Sequence, residues 1–199
     1  MKILLATENK GKLKEFQALF EPTGHSLVSL TDYDVPQAEE TGQTFVENAL
    51  LKARNASYAT QLPCLADDSG LAVNALNGQP GIYSARYALD ELKPDLSQDD
   101  ANNKKLLREM QAHTNRRAHF YCALVLLRHT DDPAPLIATG QWQGHLATQP
   151  SGHNGCGYDP LFIDNATGKT AATLTADEKH SRSHRGLAWK ILAPQLDNL

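Results

Sequence analysis

The segment Leu65-Ala-Asp-Asp-Ser-Gly-Leu-Ala-Val73 places two adjacent carboxylates, Asp67 and Asp68, inside an otherwise apolar run. Neighbouring carboxylates repel each other and apolar flanks limit their access to water, so the pair is costly unless its charge is used. Ser69-Gly70 reads as a turn at a strand end, a place to aim side chains into a cleft, and successive residues there point to opposite sides. One aspartate can then face a ligand while the other braces the chain. Mg²⁺ prefers hard oxygen donors and usually takes one or two carboxylates together with substrate phosphates. The order Asp-Asp-Ser-Gly argues against an aspartyl-phosphate nucleophile, because no acid stands two residues after either aspartate. Ser69 lacks the G-x-S-x-G elbow of a serine hydrolase.

A phosphate-binding partner for these acids is available in Thr7-Glu-Asn-Lys-Gly-Lys12, which follows an apolar strand and precedes a helix-like pattern. Helix N-termini present unpaired N–H groups and partial positive charge, which suit phosphate. Lys10 and Lys12 add charge, Gly11 permits close approach, and Thr7 and Asn9 offer side-chain hydrogen bonds. The spacing is not that of a Walker A loop, and a plain strand–helix turn is the alternative. Glu39 and Glu40 precede another helix, where acids often serve only the helix dipole.

Two further segments carry reactive types. Asn154-Gly-Cys-Gly-Tyr-Asp-Pro160 has two glycines that allow close contact with a flat ligand, and Tyr158 could supply an aromatic face, with a tight Gly/Pro turn between strands as the alternative. Cys156 lacks a histidine at a diagnostic spacing and is more simply a small apolar residue. Glu178-Lys-His-Ser-Arg-Ser-His-Arg-Gly186 sets His180 and His184 four apart, as zinc ligands on a helix can be. The glutamate of H-E-x-x-H is missing, however, and Arg182 repels a metal. A basic segment reaching toward an anionic or carbonyl-bearing ligand fits better, with a solvated helix end as the alternative.

The elements that must hold these residues are readable in outline. Lys2–Ala6 suits a buried strand, and Leu13, Phe16, Leu19 and Phe20 follow helical spacing until Pro22 and Gly24. Thr44-Phe-Val-Glu47 is a capping box that opens a helix toward Gln61. Residues 62–66 suit a strand leading into an acidic loop. A helix is expected over 98–110, strands over 118–128 and 136–142 with a turn at 131–135, a capping box at Thr175–Glu178, and a final helix over 186–196. The mixture without strict alternation gives an α/β or α+β fold with a mixed sheet.

The chain has 199 residues, 41% hydrophobic and 21% charged, with a formal net charge of −4. That length suits one domain or one with a second lobe. Net acidity without a basic stripe argues against nucleic acid as a partner. The three cysteines, Cys64, Cys122 and Cys156, are widely spaced and indicate neither a disulfide framework nor a thiolate zinc site. The N-terminal apolar run is too short for a signal core or a membrane span. A soluble protein of a reducing compartment, with no membrane partner, is the expectation.

Six stretches in order resemble the inosine triphosphate pyrophosphatase family, the house-cleaning purine nucleoside triphosphatases of bacterial dITP/XTP type. They are ATENKGK at 6–12, EETGQTFVENALLKA at 39–53, LADDSGLAV at 65–73, PGIYSARY at 80–87, GYDPLF at 157–162 and EKHSRSHRG at 178–186. The resemblance spans nearly the whole chain. It implies a single domain over 1–199 with two lobes around a long curved mixed β-sheet, an active-site cleft between the lobes, and a cytoplasmic homodimer. It also implies Mg²⁺-dependent hydrolysis of ITP, dITP and XTP to the monophosphate and pyrophosphate. By position, Thr7, Glu8, Asn9, Lys10, Gly11 and Lys12 would hold the triphosphate, with Lys52 toward the phosphates. Asp68 would be the general base or a metal ligand, with Glu39 helping to hold the metal. Ser69 would touch substrate, and Cys156, Gly157, Tyr158, Asp159, Lys179, His184 and Arg185 would line the nucleotide and its base.

Two positions depart from the family's usual pattern. Cys156 stands where members often carry a phenylalanine that would stack on the base, and Glu8 stands where some carry a small residue. Competing expectations are a pyrophosphatase with a different base preference, a nucleotide sensor without turnover, and a nucleic-acid-binding protein.

Overall fold

The computed structural model describes residues 1–199, apart from the Asn198 side chain. The chain divides into two compact units, one comprising Met1–Asp68, Cys122–Gly140 and Ala188–Leu199, the other Ser69–Tyr121 and Gln141–Leu187. The fold is mixed α/β, with one six-stranded sheet in the order β2-β1-β3-β4-β5-β6. These strands are β1 (Lys2–Leu5), β2 (Ser26–Ser29), β3 (Cys64–Val73), β4 (Arg117–Leu127), β5 (Leu136–Leu146) and β6 (Phe162–Asp164). β1 runs parallel to β2 and β3, whereas β6 runs antiparallel to β5, so the sheet is mixed.

The first unit closes around Ile3, Leu5, Phe16, Phe20, Leu65, Leu124, Leu126, Trp189 and Leu192. Phe20 and Trp189 meet at 4.8 Å in a tilted pair. Each fully buried side chain of this size contributes roughly 1.5–3 kcal/mol. Helix α1 (Lys10–Phe20) supplies the phenylalanines, and α2 (Phe45–Thr60) buries Ala49, Ala53 and Ala56. The Thr44–Glu47 capping box forms in both directions.

The second unit has its own core of Leu71, Val73, Leu106, Met110, Phe120, Trp142, Tyr158 and Phe162. Its helices are α3 (Gln98–Glu109) and α4 (Ala176–Arg182), and α4 is opened by the expected Thr175–Glu178 box. The last helix, α5 (His184–Leu192), starts earlier than the spacing predicts and ends in a 3-10 turn at Ala193–Asn198, where Pro194 interrupts the α pattern.

One expectation needs correction, and two features were not read from the sequence or are sharpened by the structure. The acidic pair lies on no loop: β3 runs unbroken through Asp67 to Gly70, and Gly70 has no positive φ. This strand is buried almost throughout and has sheet neighbours on both sides, so central burial outweighs the turn signal of Ser-Gly. The short strands β2 and β6 have no pattern of their own and exist through pairing with β1 and β5. His180 and His184 fall on different helices, separated by extended Ser183, which removes the one-helix zinc geometry. A side chain at Gly186 would come within 2.0 Å of the His180 carbonyl oxygen, so this corner requires glycine.

Candidate active site

In the first unit the two aspartates take different lysines. Lys12 Nζ lies 2.8 Å from Asp67 Oδ2, and Asp67 is 1% exposed. Lys52 Nζ lies 3.0 Å from Asp68 Oδ1 and 3.0 Å from Glu40 Oε1. The strand alternation expected for adjacent residues is thus expressed as two separate ion pairs. Lys12 sits on the first turn of α1 and Lys52 in the middle of α2.

Burial pushes the Asp68 carboxyl above its ordinary pKa, against the opposing pull of Lys52, with Glu40 adding to the rise. For Lys52, burial works against the charge, but Asp68, Asp67 and Glu40 together hold its pKa above the usual value. Asp68 Oδ2 is buried without a hydrogen-bond partner. That oxygen has a lone-pair site to offer a cation or a water, which is what a hard-metal ligand or a base requires.

At the start of α1, Asn9 Oδ1 accepts from Gly11 N (2.9 Å) and Lys12 N (3.1 Å), and Thr7 Oγ1 accepts from Asn9 N (3.2 Å). Two of the N–H groups that could hold phosphate are therefore capped by the chain itself. A side chain on Gly11 would crowd the Asn9 oxygen at 3.2 Å. Lys10 and Glu8 are exposed, so Glu8 need not oppose a phosphate. Glu39 is exposed as well, while its neighbour Glu40 reaches Lys52. Sequence reasoning did not single out Glu40, because a loop has no periodicity that tells which of two adjacent acids turns inward.

The second unit gathers the other candidates. Gly155 and Gly157 have φ values of 81° and 61°. Cys156 N donates to Asp159 Oδ2 at 2.9 Å, and the same oxygen pairs with Lys179 Nζ. A side chain at Gly155 would overlap Asp159 Oδ2 at 2.0 Å. Tyr158 is 4% exposed, its ring in the second core and its hydroxyl donating to Ser84 O at 2.7 Å. It braces this loop and presents little aromatic face. Burial and the Asp159 carboxylate push the Cys156 thiol above its ordinary pKa, which disfavours a thiolate nucleophile.

Lys179 and Arg185 also act electrostatically on Cys156, which puts both cations in its neighbourhood. Arg185 Nη2 lies 3.3 Å from Ser69 Oγ. His184 stacks on Phe120 at 4.9 Å with 15° between the planes. His184 and Arg185 are 8% and 9% exposed. Both residues are therefore held in fixed positions. Phe120, Asp99 and Asn103 contribute to this region without having been recognisable in sequence, since an apolar strand residue and a polar helix face look ordinary.

Comparison with known proteins agrees with the motifs. A family model described as Ham1 family matches residues 3–195. The dITP/XTP pyrophosphatase of Yersinia pseudotuberculosis serotype I is 52% identical over 197 residues, which cover 98% of each chain. That of Escherichia coli strain K12 is 49% identical over 199 residues, covering 99% of this chain and 98% of its own. Among solved structures, a HAM1 protein from Coxiella burnetii superposes with a TM-score of 0.91 at 42% identity, with 100% of both chains covered. The likeness runs from end to end, and the chain belongs to the Ham1 family.

Proposed function

We propose that the chain is a nucleoside-triphosphate pyrophosphohydrolase that converts ITP, dITP and XTP to the monophosphate and pyrophosphate. The observation that carries this reading is Asp68, a buried carboxylate made more basic than usual, with one oxygen on Lys52 and the other unengaged. The names of its close relatives, dITP/XTP pyrophosphatases, supply the substrate class.

A nucleoside triphosphate has a ligand for each group of residues. Lys12, Lys52 and the start of α1 offer positive charge to the phosphates, in the company of Lys10, Thr7 and Asn9. Asp68 accepts a proton from a water as its oxygen bonds to the α-phosphorus. The bond from that phosphorus to the bridging oxygen breaks, and pyrophosphate leaves in one piece. General-base assistance of this kind contributes about 10²–10⁴-fold. Lysines aimed at the developing charge add to it.

Mg²⁺ fits the donor set. The unengaged Asp68 oxygen or, where that oxygen takes the water's proton, Glu39 would hold it, and substrate phosphates and water would complete its shell. Among the described residues no three His, Cys, Asp or Glu side chains converge as a self-sufficient metal site. When bound, Mg²⁺ supplies charge neutralisation at the phosphates.

For the base, His184, Arg185 and Lys179 can donate to a 6-oxo group. Adenine would place donors against donors, and sites that leave buried polar groups unpaired reject the wrong ligand by about 10⁴-fold or more. The Cys156 side chain has no ring to stack on the base, so selectivity rests on these donors. We place the enzyme in the cytoplasm as a homodimer. No helix among the described residues is long and apolar enough to cross a membrane.

The test is incubation with Mg²⁺ and ITP, XTP, GTP or ATP, followed by identification of the phosphorus products. Monophosphate and pyrophosphate from ITP and XTP, with ATP nearly untouched, is the expected outcome. Orthophosphate, or equal use of ATP, would overturn the reading.

A further inference from the structure

The loop from Gly155 to Asp159 contains two glycines in the left-handed region, with φ values of 81° and 61°. Glycine has more backbone freedom to lose than any other residue. An unbraced loop of this composition would have to be ordered afresh by every ligand, at a cost in affinity. The structure braces it from α3. Asp99 Oδ2 accepts the Gly157 N–H at 2.7 Å, and Asn103 Nδ2 donates to the Gly157 carbonyl at 2.8 Å.

Both polar groups of residue 157 are therefore held by side chains four apart on one face of α3. Asn103 Oδ1 is buried with no hydrogen-bond partner, so this amide forgoes one bond while its nitrogen stays on Gly157. The helix itself is anchored by Asn102, 2% exposed. Its Oδ1 accepts from Ala88 N at 2.8 Å, and its Nδ2 donates to the carbonyls of Ser84 and Ala85. Ser84 O also receives the Tyr158 hydroxyl, which ties the far side of the loop to the same segment.

We propose that Asp99 and Asn103 form a clamp on the Gly157 peptide that pre-orders the Cys156–Tyr158 backbone for the nucleobase, making them positioning residues for base recognition. The inference rests on the reading of this loop as a base contact. It follows that the N–H groups of Cys156 and Gly157 are both engaged within the protein, on Asp159 and Asp99. Discrimination of the base then depends on side-chain donors around a loop that must already be in place. Neither clamp residue belongs to the phosphate chemistry around Asp68, so loosening the clamp weakens base binding and leaves the chemical step alone.

The experiment compares wild type, Asn103→Ala, Asp99→Ala and Asp99→Asn in steady-state hydrolysis of ITP with Mg²⁺ and in calorimetric titration with IMP. Asn103→Ala and Asp99→Ala should each raise KM for ITP and Kd for IMP by about 3- to 10-fold, the worth of one lost hydrogen bond, with kcat unchanged. Asp99→Asn keeps an acceptor for Gly157 N–H and should restore most of the loss, and thermal melting shows whether each variant is folded. Unchanged IMP affinity in folded alanine variants, or a fall in kcat at constant KM, overturns the clamp. Absence of ITP turnover by wild type would instead overturn the functional reading on which it rests.

Discussion

Lys52 Nζ stands 3.0 Å from Asp68 Oδ1 and is shared with Glu40, so one ammonium serves a strand carboxylate and a loop carboxylate at once. The arrangement gives Asp68 a counter-ion while burial keeps its proton affinity high. An exposed aspartate would be a weaker base, and a buried one without Lys52 would stay protonated.

Asp68→Asn separates chemistry from stability. Pyrophosphate release from ITP should fall by about 10²–10⁴-fold, the worth of a general base. The melting temperature should hold or rise, because the substitution removes a carboxylate whose ionised form is disfavoured by burial. A drop in activity accompanied by a large loss of stability would mean that Asp68 is mainly structural.

The pH dependence has a definite sign. The folded pKa of Asp68 is raised, so the folded state holds this proton to higher pH than the unfolded chain does. Its contribution to stability is present below the unfolded carboxylate pKa and is lost as pH rises through the folded value. Activity needs the ionised form, so the acid limb of kcat/KM should lie above the ordinary aspartate value of about 3.9. Lys52→Met removes the largest opposing influence and should move that limb to still higher pH. A limb that stays put in Lys52→Met would remove Asp68 as the titrating group.

Asp132 is the opposite case. It is fully buried and accepts from Arg128 N, Nε and Nη2 and from Ala134 N. The Arg128 hydrogen bonds hold its carboxyl well below the usual range. Its stabilisation is therefore present above the unfolded carboxylate pKa and fades as pH falls. Asp132→Ala should cost about 2–4 kcal/mol near neutrality, through several charge-assisted hydrogen bonds lost at one turn. Urea unfolding at neutral and acid pH should show the difference shrinking in acid, while ITP turnover by the folded variant stays normal.

Gly155→Ala probes the loop directly. The added carbon would meet Asp159 Oδ2 at 2.0 Å on a backbone with φ of 81°. The loop must move and the Asp159–Lys179 pair must give way. KM for ITP should rise by at least 10-fold, an order-of-magnitude figure for displacing a preformed contact, with a melting temperature lowered by a few degrees through the strain at positive φ. Kinetics indistinguishable from wild type would mean that this loop does not meet the substrate.

What could be read from the sequence follows from how local each rule is. The capping boxes at Thr44 and Thr175 formed as expected because a hydroxyl and a glutamate three residues apart complete the motif by themselves. The six family motifs carried the fold class and the family, since they preserve order along the whole chain. The strand through Asp67 and Asp68 was hidden because its burial comes from sheet neighbours distant in sequence. Glu40 and the Asp99–Asn103 pair were hidden for a related reason. Only tertiary structure reveals which polar side chain on a loop or helix face has a partner waiting.

The most direct test of the central claim is hydrolysis of ITP in water enriched in heavy oxygen, with the label located by mass spectrometry. Attack on the α-phosphorus predicts the heavy atom in IMP, unlabelled pyrophosphate, and loss of the reaction in Asp68→Asn. Label in the pyrophosphate, or in orthophosphate, would contradict the account.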